Sequence, residues 1–252
     1  MTAKGNGRQP KYQRIAQALK DAIKAGEYGP GDRLPGENDL MVAHQVARMT
    51  ARQALGVLQN EGVAEARKGA GVFVRDFQPL RRRGIQRLAR EQWGEGRSIW
   101  SADTGDRELV VDQVTVSEAA APVAIAGVLG IEPDAPTCVR SRRFVLEGKP
   151  VLLATSFLPA DLVTGSMVTQ EDTGPGGIYA RLAELGHAPV HFREEVRCRM
   201  PSRGEADRLG LGMGTPVIII VRTAYADGGR PVEVNEMILD SAAYVLEYDV
   251  EA

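Results

Sequence analysis

The chain has 252 residues, 43% apolar and 25% charged, too long for one small domain and ordinary for a globular protein of two. No apolar run approaches the ~18 residues of a membrane span, and the polar residues 1–10 read as a short arm rather than a secretion signal. The net charge of −2 divides into +8 over the first 100 residues and −10 over the rest, so a polyanion would have to bind the N-terminal part. The two cysteines, Cys138 and Cys198, lack CxxC spacing, which fits a reducing cytoplasm and argues against a structural zinc site.

Tyr12, Ile15, Ala16, Leu19 and Ile23 recur at helical spacing and predict a helix over 11–25, stopped by Gly26. After a Gly/Pro-rich loop at 28–35, a short helix is expected at 37–43 with Leu40 and Met41 inward. A tight turn at 44–46 leads to a third helix over 48–61, with Ala51, Ala54, Leu55 and Leu58 on its apolar face. Its other face shows Arg48, Thr50 and Arg52. Arginine can fork onto guanine O6 and N7, and threonine can reach a phosphate or a thymine methyl, although a plain solvated face has the same composition. Strands at 63–67 and 72–75 flank a turn at 68–71, a hairpin with Arg67 and Lys68 near its tip. Three helices and a basic hairpin make a winged helix-turn-helix.

Residues 10–76 resemble the GntR-type DNA-binding domain, through Pro30-Gly31-Asp32-Arg33-Leu34-Pro35-Gly36-Glu37, Arg48-Met49-Thr50-Ala51-Arg52-Gln53-Ala54-Leu55, Glu61-Gly62-Val63 and Lys68-Gly69-Ala70-Gly71-Val72-Phe73-Val74. The resemblance implies a reader at 10–77 with its helix-turn-helix at 37–56. It implies DNA contacts from Arg33, Asn38, Arg48, Met49, Thr50, Arg52, Lys68 and Gly69. Gln45 stands where the family usually has Gly, and Ala47 where it has a capping Ser or Thr. Residues 78–97, with Arg81-Arg82-Arg83 and little periodicity, read as a flexible, solvated linker.

Beyond it the expected order is a strand from 109, a helix over 119–129, strands at 138–146 and 150–158 around a Glu147-Gly148-Lys149 turn, and a helix over 178–185. A strand at 190–200 follows, then a helix at 202–209 capped by Ser202 and Glu205, and strands at 216–225 and 232–239. Arg142, Gly148-Lys149-Pro150-Val151, Phe157-Leu158-Pro159-Ala160-Asp161-Leu162, Gly177-Ile178-Tyr179 and Gly229-Arg230-Pro231-Val232-Glu233 resemble the UTRA ligand-sensing domain of the HutC-like GntR subfamily, over 98–248. The run Asp172-Thr173-Gly174-Pro175-Gly176-Gly177 resembles its actinobacterial branch. The fold class implied is α+β: a winged helix-turn-helix, then a mixed, mainly antiparallel domain similar to chorismate lyase.

The resemblance further implies a homodimer, operator DNA and a small-molecule effector as partners, and no cofactor. Effector contacts are expected from Arg142, Phe144, Gly177, Tyr179, Glu233 and Leu239. Phe144, Gly177 and Leu239 replace polar residues common in sugar-phosphate sensors, so a larger and less charged effector is expected. His187 and His191 would lie ~13 Å apart on a strand, too far to share a metal. The expected function is a repressor released by its effector. An effector-independent DNA-binding protein and a lyase-like enzyme on a DNA anchor stay open; turnover of a bound ligand would favour the enzyme.

Overall fold

The computed structural model describes residues 9–67, 69–84, 88–89, 93, 99–100, 103–212 and 214–249. Most of the N-terminal arm, Lys68 of the wing and half of the expected linker lie outside them. The chain forms two compact units, one from residues up to 78 together with 212–215 and one from residues 79–211 and 216–249.

In the first unit α1 (Lys11–Lys24), α2 (Glu37–His44) and α3 (Arg48–Asn60) precede the antiparallel hairpin of β1 (Ala64–Arg67) and β2 (Gly71–Val74). Ile15, Ala16 and Leu19 of α1, Leu40 of α2, and Ala51, Ala54, Leu55 and Leu58 of α3 are buried in one cluster. These are the inward positions expected from helical spacing. Gln45 takes φ 48° and ψ 57°, the left-handed conformation that disfavours a side chain, and Ala47 gives α3 no side-chain cap. Gln45→Gly is therefore expected to raise the unfolding free energy of this unit by about 0.5–1 kcal/mol. Urea denaturation checks this; a loss of stability would show that the amide side chain, not the backbone, matters there.

The second unit opens with β3 (Leu80–Arg83), which pairs in parallel with β10 (Tyr244–Glu247). This corrects the reading of the arginine run as a solvated linker. Alternation decides the matter. Arg81 and Arg83 point outward to Glu247, whereas Leu80 and Arg82 point inward, with Arg82 only 1% exposed. Arg82 forks onto Glu194, with Nη1 2.9 Å from Oε2 and Nη2 on Oε1. A charge run read by composition alone hides this, because only one of its three arginines is buried.

Then come β4 (Leu109–Ala120), α4 (Val123–Leu129), β5 (Pro136–Leu146), β6 (Lys149–Pro159), α5 (Ala160–Val163), α6 (Gly177–Glu184), β7 (His191–Arg199), α7 (Arg203–Leu209), β8 (Val217–Tyr225) and β9 (Pro231–Asp240). The helix expected over 119–129 is shorter, since Ala119 and Ala120 stay in β4 and Pro122 precedes the first turn. Six strands form one antiparallel sheet in the order β4-β5-β6-β9-β8-β7. The β5–β6 hairpin closes tightly, because Glu147 and Gly148 both adopt positive φ. On one face α4 packs Ile125, Ala126 and Leu129 onto Phe157, Val221 and Val234, and Leu209 of α7 packs on Leu153 and Val217. On the other face α6 packs Ile178, Tyr179 and Leu182 near Cys138, Leu158 and Ala224.

Ser202 and Glu205 cap α7 reciprocally, as expected from their spacing, and Arg199 forks onto the same Glu205 at 2.6 and 2.7 Å. The Arg199 guanidinium, aided by the Ser202 amide and hydroxyl against the opposing effect of burial, holds the Glu205 carboxyl down at about 2. A depressed carboxylate stabilises the fold fully above its ordinary pKa of 4.5, and that contribution fades as pH falls toward 2. Glu205→Gln should cost about 1 kcal/mol at pH 7, solvent around Arg199 limiting the effect. The difference from the unmodified chain should shrink steadily below pH 4.5. Denaturation at pH 7 and pH 3 checks this, and an equal loss at both would assign the effect to the amide rather than the charge.

Candidate functional site

Two places carry chemistry, one in each unit. In the first, α2 and α3 meet at an exposed polar cluster. Arg48 donates to Asn38 Oδ1 at 3.1 Å, and Arg52 forks onto Glu37 at 2.6 and 3.2 Å. Arg48 also stands 3.7 Å from Glu37. The Arg52 guanidinium, with burial opposing it weakly, holds the Glu37 carboxyl below the usual range. Both arginine side chains remain about 60% exposed (61% for Arg48, 60% for Arg52), and Met49 is exposed beside them with Thr50 half-buried. Asn38, Arg48, Met49, Thr50 and Arg52 thus lie on the α2–α3 pair. Arg33 lies instead along the hairpin, bridged to Phe73 with its guanidinium over Gly71; Gly69 is exposed in the hairpin turn. Arg67 is engaged by Glu65 at 3.1 Å and by the Phe73 ring at 4.4 Å.

The second place is a cavity of about 460 Å³ between the sheet and the segment leading into α6. Arg142, Phe144, Gly177, Tyr179 and Glu233, all expected here, line it. Leu239 does not. It shares the sheet face of Glu233 but lies six residues along β9, ~20 Å at strand rise. There it lines a separate hollow of only about 10 Å³ with Phe144 and Leu152.

The cavity also gathers Arg140, Arg222, Asn235, Trp100, Val111 and Val114, which the sequence reading passed over. Arg140, Arg142 and Phe144 alternate on β5, so period two placed Arg140 beside Arg142. Arg222 is a lone charge in the apolar run Val217–Tyr225, a signal of a buried functional or paired group. Val111 and Val114 would face opposite ways on a regular strand. A bulge between Asp112 and Thr115, with Gln113 at φ 49°, lets both valines line the cavity.

The polar wall is almost wholly buried. Arg140 donates to the carbonyl oxygens of Val168, Gln170 and Glu171. Arg142 donates to Ser156 Oγ at 2.6 Å, and burial pushes its pKa down to about 10, still charged at neutral pH. Arg222 lies 5.6 Å from the Trp100 ring, 5.5 Å from the Tyr179 ring and 3.9 Å from Glu194. Burial opposes its charge, but Tyr179, Glu233 and Glu194 outweigh that and hold its pKa above the ordinary value. Burial pushes the Tyr179 phenol well up, so it stays a donor. Gly174, Gly176 and Gly177 all take positive φ, which permits the sharp turns that bring the start of α6 against the cavity.

The signature described as bacterial regulatory proteins, gntR family, matches residues 11–74, and that of the UTRA domain matches residues 105–244. The chain is 32% identical to an uncharacterised HTH-type transcriptional regulator of Streptomyces coelicolor, over 95% of this chain and 92% of that one. It is 28% identical to the HTH-type transcriptional repressor NagR of Bacillus subtilis, over 89% and 88%. The crystal structure of PhnF from Mycobacterium smegmatis shares the fold, with a TM-score of 0.57 and 24% identity over 94% of this chain and 99% of that one. The order of helices, wing and antiparallel sensor sheet agrees with these matches, and the chain belongs to the GntR family of bacterial transcriptional regulators, with the UTRA arrangement of its HutC-like subfamily.

Proposed function

We propose that the protein is a cytoplasmic homodimeric repressor that leaves its operator when a small molecule fills the cavity of the second unit. The observation that carries this reading is the pairing of two features in one chain. One is a helix whose exposed face offers two arginines. The other is a cavity into whose buried wall several polar side-chain atoms are turned without a hydrogen-bond partner. The reader comprises residues 10–77, with Arg33, Asn38, Arg48, Met49, Thr50, Arg52, Lys68 and Gly69 facing DNA. The sensor uses Arg142, Phe144, Gly177, Tyr179 and Glu233, joined by Arg140, Arg222 and Asn235. Repression follows the role named for the Bacillus subtilis relative. To release DNA, the effector must bind the released arrangement more tightly than the bound one.

The test is a gel shift with DNA fragments from the protein's own gene neighbourhood, at stated salt and with excess nonspecific competitor. A discrete complex that resists competitor, with two chains per site, is expected. Equal retention of all fragments would leave a nonspecific DNA-binding protein and remove the repressor reading.

A further inference from the structure

The cavity wall shows what kind of molecule would complete it. Among its residues, the Nε atoms of Arg140, Arg142 and Arg222, Arg222 Nη1, Glu233 Oε2 and Asn235 Oδ1 are buried without a well-aligned hydrogen-bond partner, and the buried Tyr179 hydroxyl lies close to Arg222 and Glu233. Native interiors rarely leave such groups unpaired, and a buried uncompensated charge is more costly still. Arg140 is held by three carbonyl oxygens; burial opposes its charge, and Glu233 and then Asp172 at the exposed rim favour it. Glu194 is forked by Arg82. Apart from Arg140, which the carbonyl oxygens hold, Arg142 and Arg222 stand against Glu233, a buried excess of one positive charge. A singly charged anion balances it. Glu233 Oε2, an acceptor, asks in addition for a donor, so a bare anion would leave it unanswered. The rings of Trp100 and Phe144, 4.5 Å apart, form an apolar wall.

We propose that the cavity takes a small hydroxy-carboxylate. Its carboxylate meets Arg142 and Arg222, its hydroxyl donates to Glu233, and its apolar body lies against Trp100 and Phe144. This rests on the reading of the cavity as an effector site. It keeps the less charged, partly apolar effector expected from Phe144, Gly177 and Leu239 and gives it one carboxylate, because Arg222 supplies from β8 a cation that Phe144 does not supply from β5.

The experiment is calorimetric titration of the full chain with three probes: 2-hydroxy-3-phenylpropanoate, its methyl ester, and 3-phenylpropanoate. The hydroxy acid is expected to bind at millimolar concentration or below. The ester should bind at least tenfold more weakly for want of the charge. The acid without the hydroxyl should lose about tenfold, because Glu233 stays unpaired. Glu233→Gln should narrow the gap between the two acids and should not narrow the gap between acid and ester, since it removes a negative charge from beside Arg142 and Arg222. The ligand series on the unmodified chain needs no variant to fold. An ester that binds as well as the acid, or no binding by the hydroxy acid at 10 mM, overturns the proposal. Gel shifts with the same probes separate the two readings. Acid-selective binding that leaves operator affinity unmoved upholds the ligand class and removes the effector role. An ester that binds and releases DNA does the reverse.

Discussion

Replacing Arg82 by methionine is expected to destabilise the second unit by about 3 kcal/mol. The substitution keeps the length of the side chain but strands Glu194, which is 10% exposed, without its bidentate partner. Removing one member of a buried pair typically costs ~3–5 kcal/mol, mostly from the charge left behind. Arg222, already 3.9 Å from Glu194, takes over part of the carboxylate and keeps the loss at the lower end. Pairing Arg82→Met with Glu194→Gln should recover a good part of it, since the orphaned charge goes too. Urea denaturation of the two variants checks both statements. A loss for Arg82→Met no greater than for an exposed arginine such as Arg81→Met would show that the pair does not anchor β3.

Arg48→Ala and Arg52→Ala are each expected to weaken operator binding about tenfold to a hundredfold, the discrimination carried by one good arginine–base contact. Both side chains are largely exposed, so folding should be unaffected. The losses should not add, because the two arginines share Glu37 and removing one frees the carboxylate for the other. Salt titrations sort the contacts: loss of a phosphate contact lowers the salt slope by ~1, and loss of a base contact relaxes sequence preference instead. Full operator affinity in both variants would take the recognition face away from α3.

The first unit was legible almost residue by residue. Its inward positions follow one helical period each, and Ile15, Leu19, Leu40, Ala51, Leu55 and Leu58 all fell where spacing placed them. Strand order in the second unit was beyond local pattern, because β9 inserts between β6 and β8, a pairing that no hairpin announces. The cavity was half legible. Arg142, Tyr179 and Glu233 came from positional resemblance. Arg222 and Asn235 face each other across β8 and β9, and only the sheet register brings that pair beside Arg142. Leu239 failed for a geometric reason: alternation gives the face of a sheet but not the distance along it. The arginine run misled because composition averages over Arg81, Arg82 and Arg83, whereas a strand separates them.

The pairing of β3 with β10 bears on how such a protein is cut and rejoined. A chimera that grafts this sensor onto a foreign reader would ordinarily be spliced inside the arginine-rich stretch, where composition suggests spare chain. Any junction after Arg83 discards the strand that covers Tyr244–Glu247 and leaves Glu194 without Arg82. The second unit already begins at Pro79, so a graft that keeps β3 has to be joined ahead of that residue rather than anywhere in the following twenty.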